Sequence, residues 1–186
     1  MILLIAVIIG LIAGIIRAWT GKRAYASISL NGIWLVFLAF LPQFFSFNFA
    51  PTRRLVADAW IPMILIASQI PLFIFIWINR TQSGFILLAM GLLCNFLVIS
   101  LNGGMMPISP ETAGELVEPG IYVNLQTGQR AGYTKDIILP VEETKLAFLS
   151  DHFTLPEWFP YRSAFSLGDI LISLGTFWLL WRLGSP

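Results

Sequence analysis

The stretch AFSLGDILISLGTFWLLW, Ala164 to Trp181, holds a single charged residue, Asp169, about a turn inside an apolar run. A helix needs roughly 20 apolar residues at 1.5 Å rise to cross a hydrocarbon layer about 30 Å thick, so this segment, taken on to Leu183, reads as a membrane span. The rest of the chain agrees. Of 186 residues, 57% are hydrophobic and 11% charged, and mean hydropathy is +0.80. That is too little charge to cover a soluble globule, so much of the apolar sequence must face lipid.

Four more spans precede this one: Ile2 to about Ile16, Ser27 to Phe45, Ala59 to Ile78 with Pro71 inside it, and Gly84 to Leu101. The charges of the first span, Arg17, Lys22 and Arg23, follow it instead of preceding it, which reads against a cleaved signal peptide. With the N-terminus outside, Arg17, Lys22, Arg23, Arg80 and Arg182 fall on the inner side and only Arg53 and Arg54 in the short outer loop. That is the asymmetry the positive-inside rule favours. All ten acids then lie on the outer side or at its boundary: Asp58, eight from Glu111 to Glu157, and Asp169. The expected fold is an all-α integral membrane protein with five transmembrane helices, N-out and C-in. It divides into a four-helix region (1–101), a small irregular extracytoplasmic cap (102–164), and the fifth helix with a short tail (165–186).

The cap is rich in proline and reads as a β-hairpin around Gly128, with limbs Ile121 to Leu125 and Gln129 to Tyr133, followed by a short helix from Val141 to Leu149. Some classes are disfavoured. A net charge of +1 with no Lys/Arg run gives no field for nucleic acid. One cysteine, Cys94, and one histidine, His152, leave no disulfide framework and no ligand set for a metal or bis-histidine haem, and the sequence names no other cofactor. No ionisable residue sits mid-span to carry a proton path. Asn31, Gln69 and Asn95 do lie within spans, where interhelical hydrogen bonding is the ordinary use of a polar side chain. Arg53, Arg54 and Asp58 can pair with one another or with head groups at the outer interface.

Two readings of Asp169 remain open. Ser166-Leu167-Gly168-Asp169 fits a capping box, in which Ser166 accepts from the N–H of Asp169 and the carboxylate reaches back to the N–H of Ser166. Alternatively, Asp169 pairs with Asp151, 18 residues upstream: two carboxylates at one apolar mouth share a proton, and one activates a water while the other donates to a carbonyl. Asn102-Gly103-Gly104 reads as a helix terminator, with glycines supplying the left-handed turn and letting Asn102 approach the mouth of the fifth helix near Asp169.

The segment from Asp151 through Trp158-Phe159-Pro160-Tyr161-Arg162-Ser163-Ala164-Phe165-Ser166-Leu167-Gly168-Asp169 resembles the end of bacterial lipoprotein signal peptidase. That resemblance implies an intramembrane aspartyl hydrolase with Asp151 and Asp169 as catalytic dyad. Ser166 and Gly168 stand where the peptidase motif has Asn and Ala. A second resemblance spans most of the chain. Asn102-Gly103-Gly104-Met105-Met106-Pro107 after a span, an aspartate-bearing stretch, and Phe165-Ser166-Leu167-Gly168-Asp169 opening the last helix are similar to an uncharacterised family of bacterial multi-span membrane proteins. It implies that Asn102, Gly103, Gly104, Pro107, Asp151, Ser166, Gly168 and Asp169 form one arrangement. Helices apolar on nearly every face, together with a cap lacking a core of its own, point to lipid and other membrane subunits as partners, and to a non-catalytic accessory subunit of a bacterial membrane complex.

Overall fold

A computed structural model describes residues 2–117 and 125–184. Among these, seven α-helices form: α1 (Ile2–Thr20), α2 (Trp34–Phe47), α3 (Ala50–Arg53), α4 (Ile61–Ile78), α5 (Phe85–Leu101), α6 (Pro110–Leu116) and α7 (Leu167–Arg182). Four short strands accompany them: β1 (Met106–Ile108), β2 (Asp136–Ile138), β3 (Phe153–Thr154) and β4 (Ala164–Phe165). Two apolar helical stretches, Ile2–Thr20 and Asp58–Ile78, are long enough to cross a membrane, and the apolar helices α2 and α5 are shorter.

Small residues set the packing. The buried face of α1 is Gly10, Gly14 and Ala18, a four-residue repeat that brings the backbone against Phe177 and Leu180 of α7. On its other side α7 presents Gly168 and Gly175 to Gly91 and Gly84, so α5 also approaches closely. The principal contacts then run α1 to α7, α7 to α5, α5 to α4 and α4 to α2. Side chains pointing out of this row are apolar and exposed, among them Leu4, Ile12, Phe37, Phe40, Met63, Ile70, Ile86 and Leu93. An aqueous protein would bury such a surface.

Three local expectations are corrected. The second span begins as a helix at Trp34, not Ser27. Gly32 takes φ +69°, and the backbone N–H of Asn31 donates to Asn79 Oδ1 at 2.9 Å, so Asn31 lies in a turn instead of inside a helix. The helix expected over 141–149 is two 3-10 turns, Val141–Glu143 and Ala147–Leu149, interrupted where Leu146 takes φ +56°. Of the expected hairpin, the limb 121–124 lies outside the described residues. The turn forms with Gly128 at φ +80°, but Arg130 bridges to Ile137 and Gly128 N–H donates to Ile138 O, so the second limb pairs with β2.

The cap is organised by the end of α5. Gly104 N–H donates to Ile99 O at 2.8 Å, closing the helix with a left-handed turn in which Gly103 and Gly104 have φ +76° and +84°. The chain leaves directly as β1, whose three residues are all buried. β2 lies parallel on one side, registering Met106 with Asp136 and Ile108 with Ile138. On the other side, Asp151 N–H donates to Pro107 O at 3.1 Å. Proline suits this position because its missing N–H faces the side where only the carbonyl is used. Strands β3 and β4 pair antiparallel, Phe153 with Phe165 and Thr154 with Ala164, and deliver the chain into α7.

Candidate functional site

Asp169 sits three residues into α7 by virtue of Ser166, which is fully buried and extended at the helix start. Both halves of the capping box form: Asp169 N–H donates to Ser166 Oγ at 3.1 Å, and Ser166 N–H donates to Asp169 Oδ2 at 3.2 Å. Asn95 of α5 completes a ring, its Nδ2 donating to Asp169 Oδ1 at 2.8 Å and its Oδ1 accepting from Ser166 Oγ at 2.8 Å. Each oxygen of the carboxylate accepts a hydrogen bond, and the serine hydroxyl both donates and accepts. Gly168 makes the ring possible, since a Cβ there would collide with the Asn95 carboxamide and the Gly91 carbonyl.

Asp151 is held separately, at the far edge of β1, and is 1% exposed. Lys135, one residue before β2, reaches across β1 and places Nζ 2.5 Å from Asp151 Oδ2 and 3.2 Å from Asp136 Oδ1. Asp151 Oδ1 has no hydrogen-bond partner. The Asp151 carboxyl is pushed up to about 7, by burial above all and by the charges of Asp136 and Asp169, against the downward pull of Lys135. For Lys135, burial acts to lower the ammonium, but the charges of Asp136, Asp151 and Asp169 outweigh it and raise the group above its ordinary value. Three carboxylates thus act on one ammonium.

The two aspartates are not hydrogen-bonded to each other. Asp169 and Lys135 meet instead in the lining of one cavity of about 200 Å³, walled by Gln43 of α2, Gln69 of α4 and Asn95 of α5 and roofed by Met106. Of the polar residues within the apolar helices, Asn95 makes the interhelical bonds expected of it. Gln69 is 5% exposed, yet its Oε1 has no partner.

The remaining motif residues serve the cap. Asn102 does not approach Asp169: its Nδ2 donates to Val98 O and Lys145 O, and its Oδ1 accepts from Lys145 N–H at 2.9 Å. Gly104 lies against Pro62, where a Cβ would clash. His152 is exposed and turned onto its own chain, with Nδ1 2.9 Å from Ser150 O. Asp58 pairs with Arg130 at 2.8 Å instead of Arg53 or Arg54, and Arg53 stacks over Tyr133. Lys135, Asp136 and Asn95 were not singled out as site residues from sequence. The available signals were a Lys-Asp pair opening the apolar Ile137-Ile138 and an asparagine one helical turn after Gly91, on the same face.

A family model described as "Family of unknown function (DUF5317)" matches residues 27–181. The chain belongs to this family. Membership in DUF5317 agrees with the expected kinship to an uncharacterised family, and it assigns no activity. Neither a curated protein nor a solved structure matches the chain. No group of three or more His, Cys, Asp or Glu side chains is placed to hold a metal ion among the described residues.

Proposed function

We propose that this DUF5317 protein is a five-span integral membrane protein, N-out and C-in with its cap on the extracytoplasmic side, and that it serves as a non-catalytic accessory or scaffold subunit of a larger bacterial membrane assembly. The observation that carries the non-catalytic reading is the state of the two acids. Asp169 spends both oxygens on Ser166 N–H and Asn95 Nδ2, and Asp151 is locked under β1 by Lys135. A catalytic dyad needs two carboxylates turned to one water. Here each holds a different part of the scaffold: one the start of α7, the other the seam of the cap. The membrane reading is supported by the outward apolar side chains, and its orientation by five basic residues and no acid at the ends of the helices assigned inside.

One observation favours a second reading, an intramembrane aspartyl hydrolase using Asp151 and Asp169. The Asp151 carboxyl is raised to about 7, so it can hold a proton at neutral pH, and its partner Lys135 shares with Asp169 the cavity beneath the cap. The two readings separate on Asp169→Asn and Asp151→Asn, purified with their native membrane neighbours in mild detergent. The scaffold reading expects wild type and Asp169→Asn to bring down the same neighbours, with Asp169→Asn less stable. Wild type that purifies alone and cleaves membrane peptides, with both folded variants inactive, overturns it in favour of the hydrolase.

A further inference from the structure

The turn between α4 and α5, Asn79-Arg80-Thr81-Gln82-Ser83-Gly84, is held rigid from three sides. Asn79 is buried, donating to Asn31 O and Phe75 O and accepting from Asn31 N–H. Gln82 N–H donates to Asn79 O at 2.9 Å. Gly84, at φ +85°, lies so close to the Gly175 carbonyl of α7 that no Cβ fits. This fixes Arg80 beside the last turn of α7, which carries Trp178 and Arg182. Between them lies a cavity of about 470 Å³, lined by both arginines, Thr81, Ser83, Ile86 and Trp178.

Both of its charged side chains are cationic donors, and Thr81, Gln82 and Ser83 can donate beside them. Arg80 stacks over Trp77 at 4.5 Å and donates Nη1 to Trp77 O, which leaves the rest of its guanidinium open. Arg182 makes no hydrogen bond or ion pair among the described residues. No acid lies near: the sequence from Lys22 to Arg54 and from Trp60 to Met106 contains none, and after Asp169 at the far end of α7 there is none. Arginines of the cap are answered within the protein, Arg130 by Asp58 and Arg162 by the carbonyls of Glu115 and Val117. At this end Arg80 donates to one carbonyl, that of Trp77, and neither arginine pairs with an acidic side chain among the described residues. Apolar Ile86 and Trp178, both exposed, rim the opening.

We propose that this cavity is a binding site for a phosphate ester at the membrane surface, with Arg80 and Arg182 clamping the phosphoryl oxygens, Ser83 and Thr81 donating from the turn, and Ile86 and Trp178 lying along an acyl chain. Planar guanidinium groups match phosphate oxygens in geometry and charge. The proposal rests on the membrane reading for the source of the phosphate, the head group of an anionic phospholipid, while the donor set itself fits any phosphate monoester or diester.

The test is native mass spectrometry of the full chain in neutral detergent, titrated with phosphatidylglycerol, phosphatidylcholine or inorganic phosphate. Phosphatidylglycerol should bind at least tenfold more tightly than phosphatidylcholine, and Arg80→Gln/Arg182→Gln should abolish that preference. Arg182→Gln alone, which removes no hydrogen bond or ion pair among the described residues, should lower it several-fold. Equal binding of the two lipids together with saturable inorganic phosphate lost in the variant assigns the site to soluble phosphate. That result refutes the lipid source and keeps the clamp. A preference for phosphatidylglycerol that survives both variants, or no binding of any probe, overturns the site. A chain that stays soluble and monodisperse without detergent overturns the membrane reading, and the phosphate arm still judges the clamp.

Discussion

Replacing Lys135 with methionine removes the one cation from the seam of the cap and leaves its volume nearly unchanged. Asp151, 1% exposed, then keeps one oxygen that already lacks a partner and loses the ammonium 2.5 Å from the other. Removing one member of a buried ion pair costs about 3–5 kcal/mol. The Lys135 side chain is 35% accessible, so part of that attraction is screened and about 2–3 kcal/mol is the better expectation. At 1.4 kcal/mol per factor of ten, this is a drop of roughly 30- to 150-fold in the folded-to-unfolded ratio. The sign of the pH dependence follows from Asp151. Its carboxyl is raised in the folded chain from the ordinary 3.8 to about 7, so its contribution is full below about pH 4 and is lost as pH rises through 7. The Lys135→Met penalty should therefore be largest at pH 8, where the naked carboxylate must take up a proton to stay buried, and smaller at pH 5. The assay is denaturant unfolding in detergent micelles followed by tryptophan fluorescence, run as a double-mutant cycle with Asp151→Asn. Lys135→Met as stable as wild type at pH 8, or a penalty larger at pH 5, would refute the assignment of Lys135 and Asp151 as one coupled pair.

Two further substitutions probe the frame around the site. Gly168→Ala places a methyl group on the Asn95 carboxamide and the Gly91 carbonyl, and should destabilise by about 1–3 kcal/mol, while a cysteine at position 95 should become more reactive to a maleimide if the helices part. Asn79→Ala breaks two hydrogen bonds that tie the end of α4 to Asn31 in the turn before α2, and a third to Phe75 O of α4 itself, and should cost about 1–3 kcal/mol in the same unfolding assay, with the Lys135 pH dependence untouched.

Much of the helical frame was legible because it is written in local periodicity and punctuation. Gly103-Gly104 ends α5, and Ser166 to Asp169 opens α7 with the capping box its spacing spelled out. The start of α2 was missed because the run from Ser27, despite Ser29 and Asn31, carries no charge and reads as one span, and hydropathy alone gave no sign that Asn79, 48 residues away, holds Asn31 in a turn. The cap failed differently. Its arrangement depends on β1, a three-residue strand whose partners come from residues 136–138 and 151, and neither pairing has a local signature. For the same reason Lys135 was invisible as a partner of Asp151. The two lie 16 residues apart and meet only because one short strand runs between them.

The spatial order of the helices has a consequence for how the chain is made. α1 is synthesised well before α7, yet its glycine face fits that helix. At roughly 5–20 residues per second, the intervening chain takes on the order of 10–30 s to emerge. Throughout that interval α1 has a close-packing surface with nothing to close upon. On the membrane reading proposed above, α1 must be parked, by lipid or by the insertion machinery, until α7 emerges, and the arrival of α7 is the event that locks the bundle.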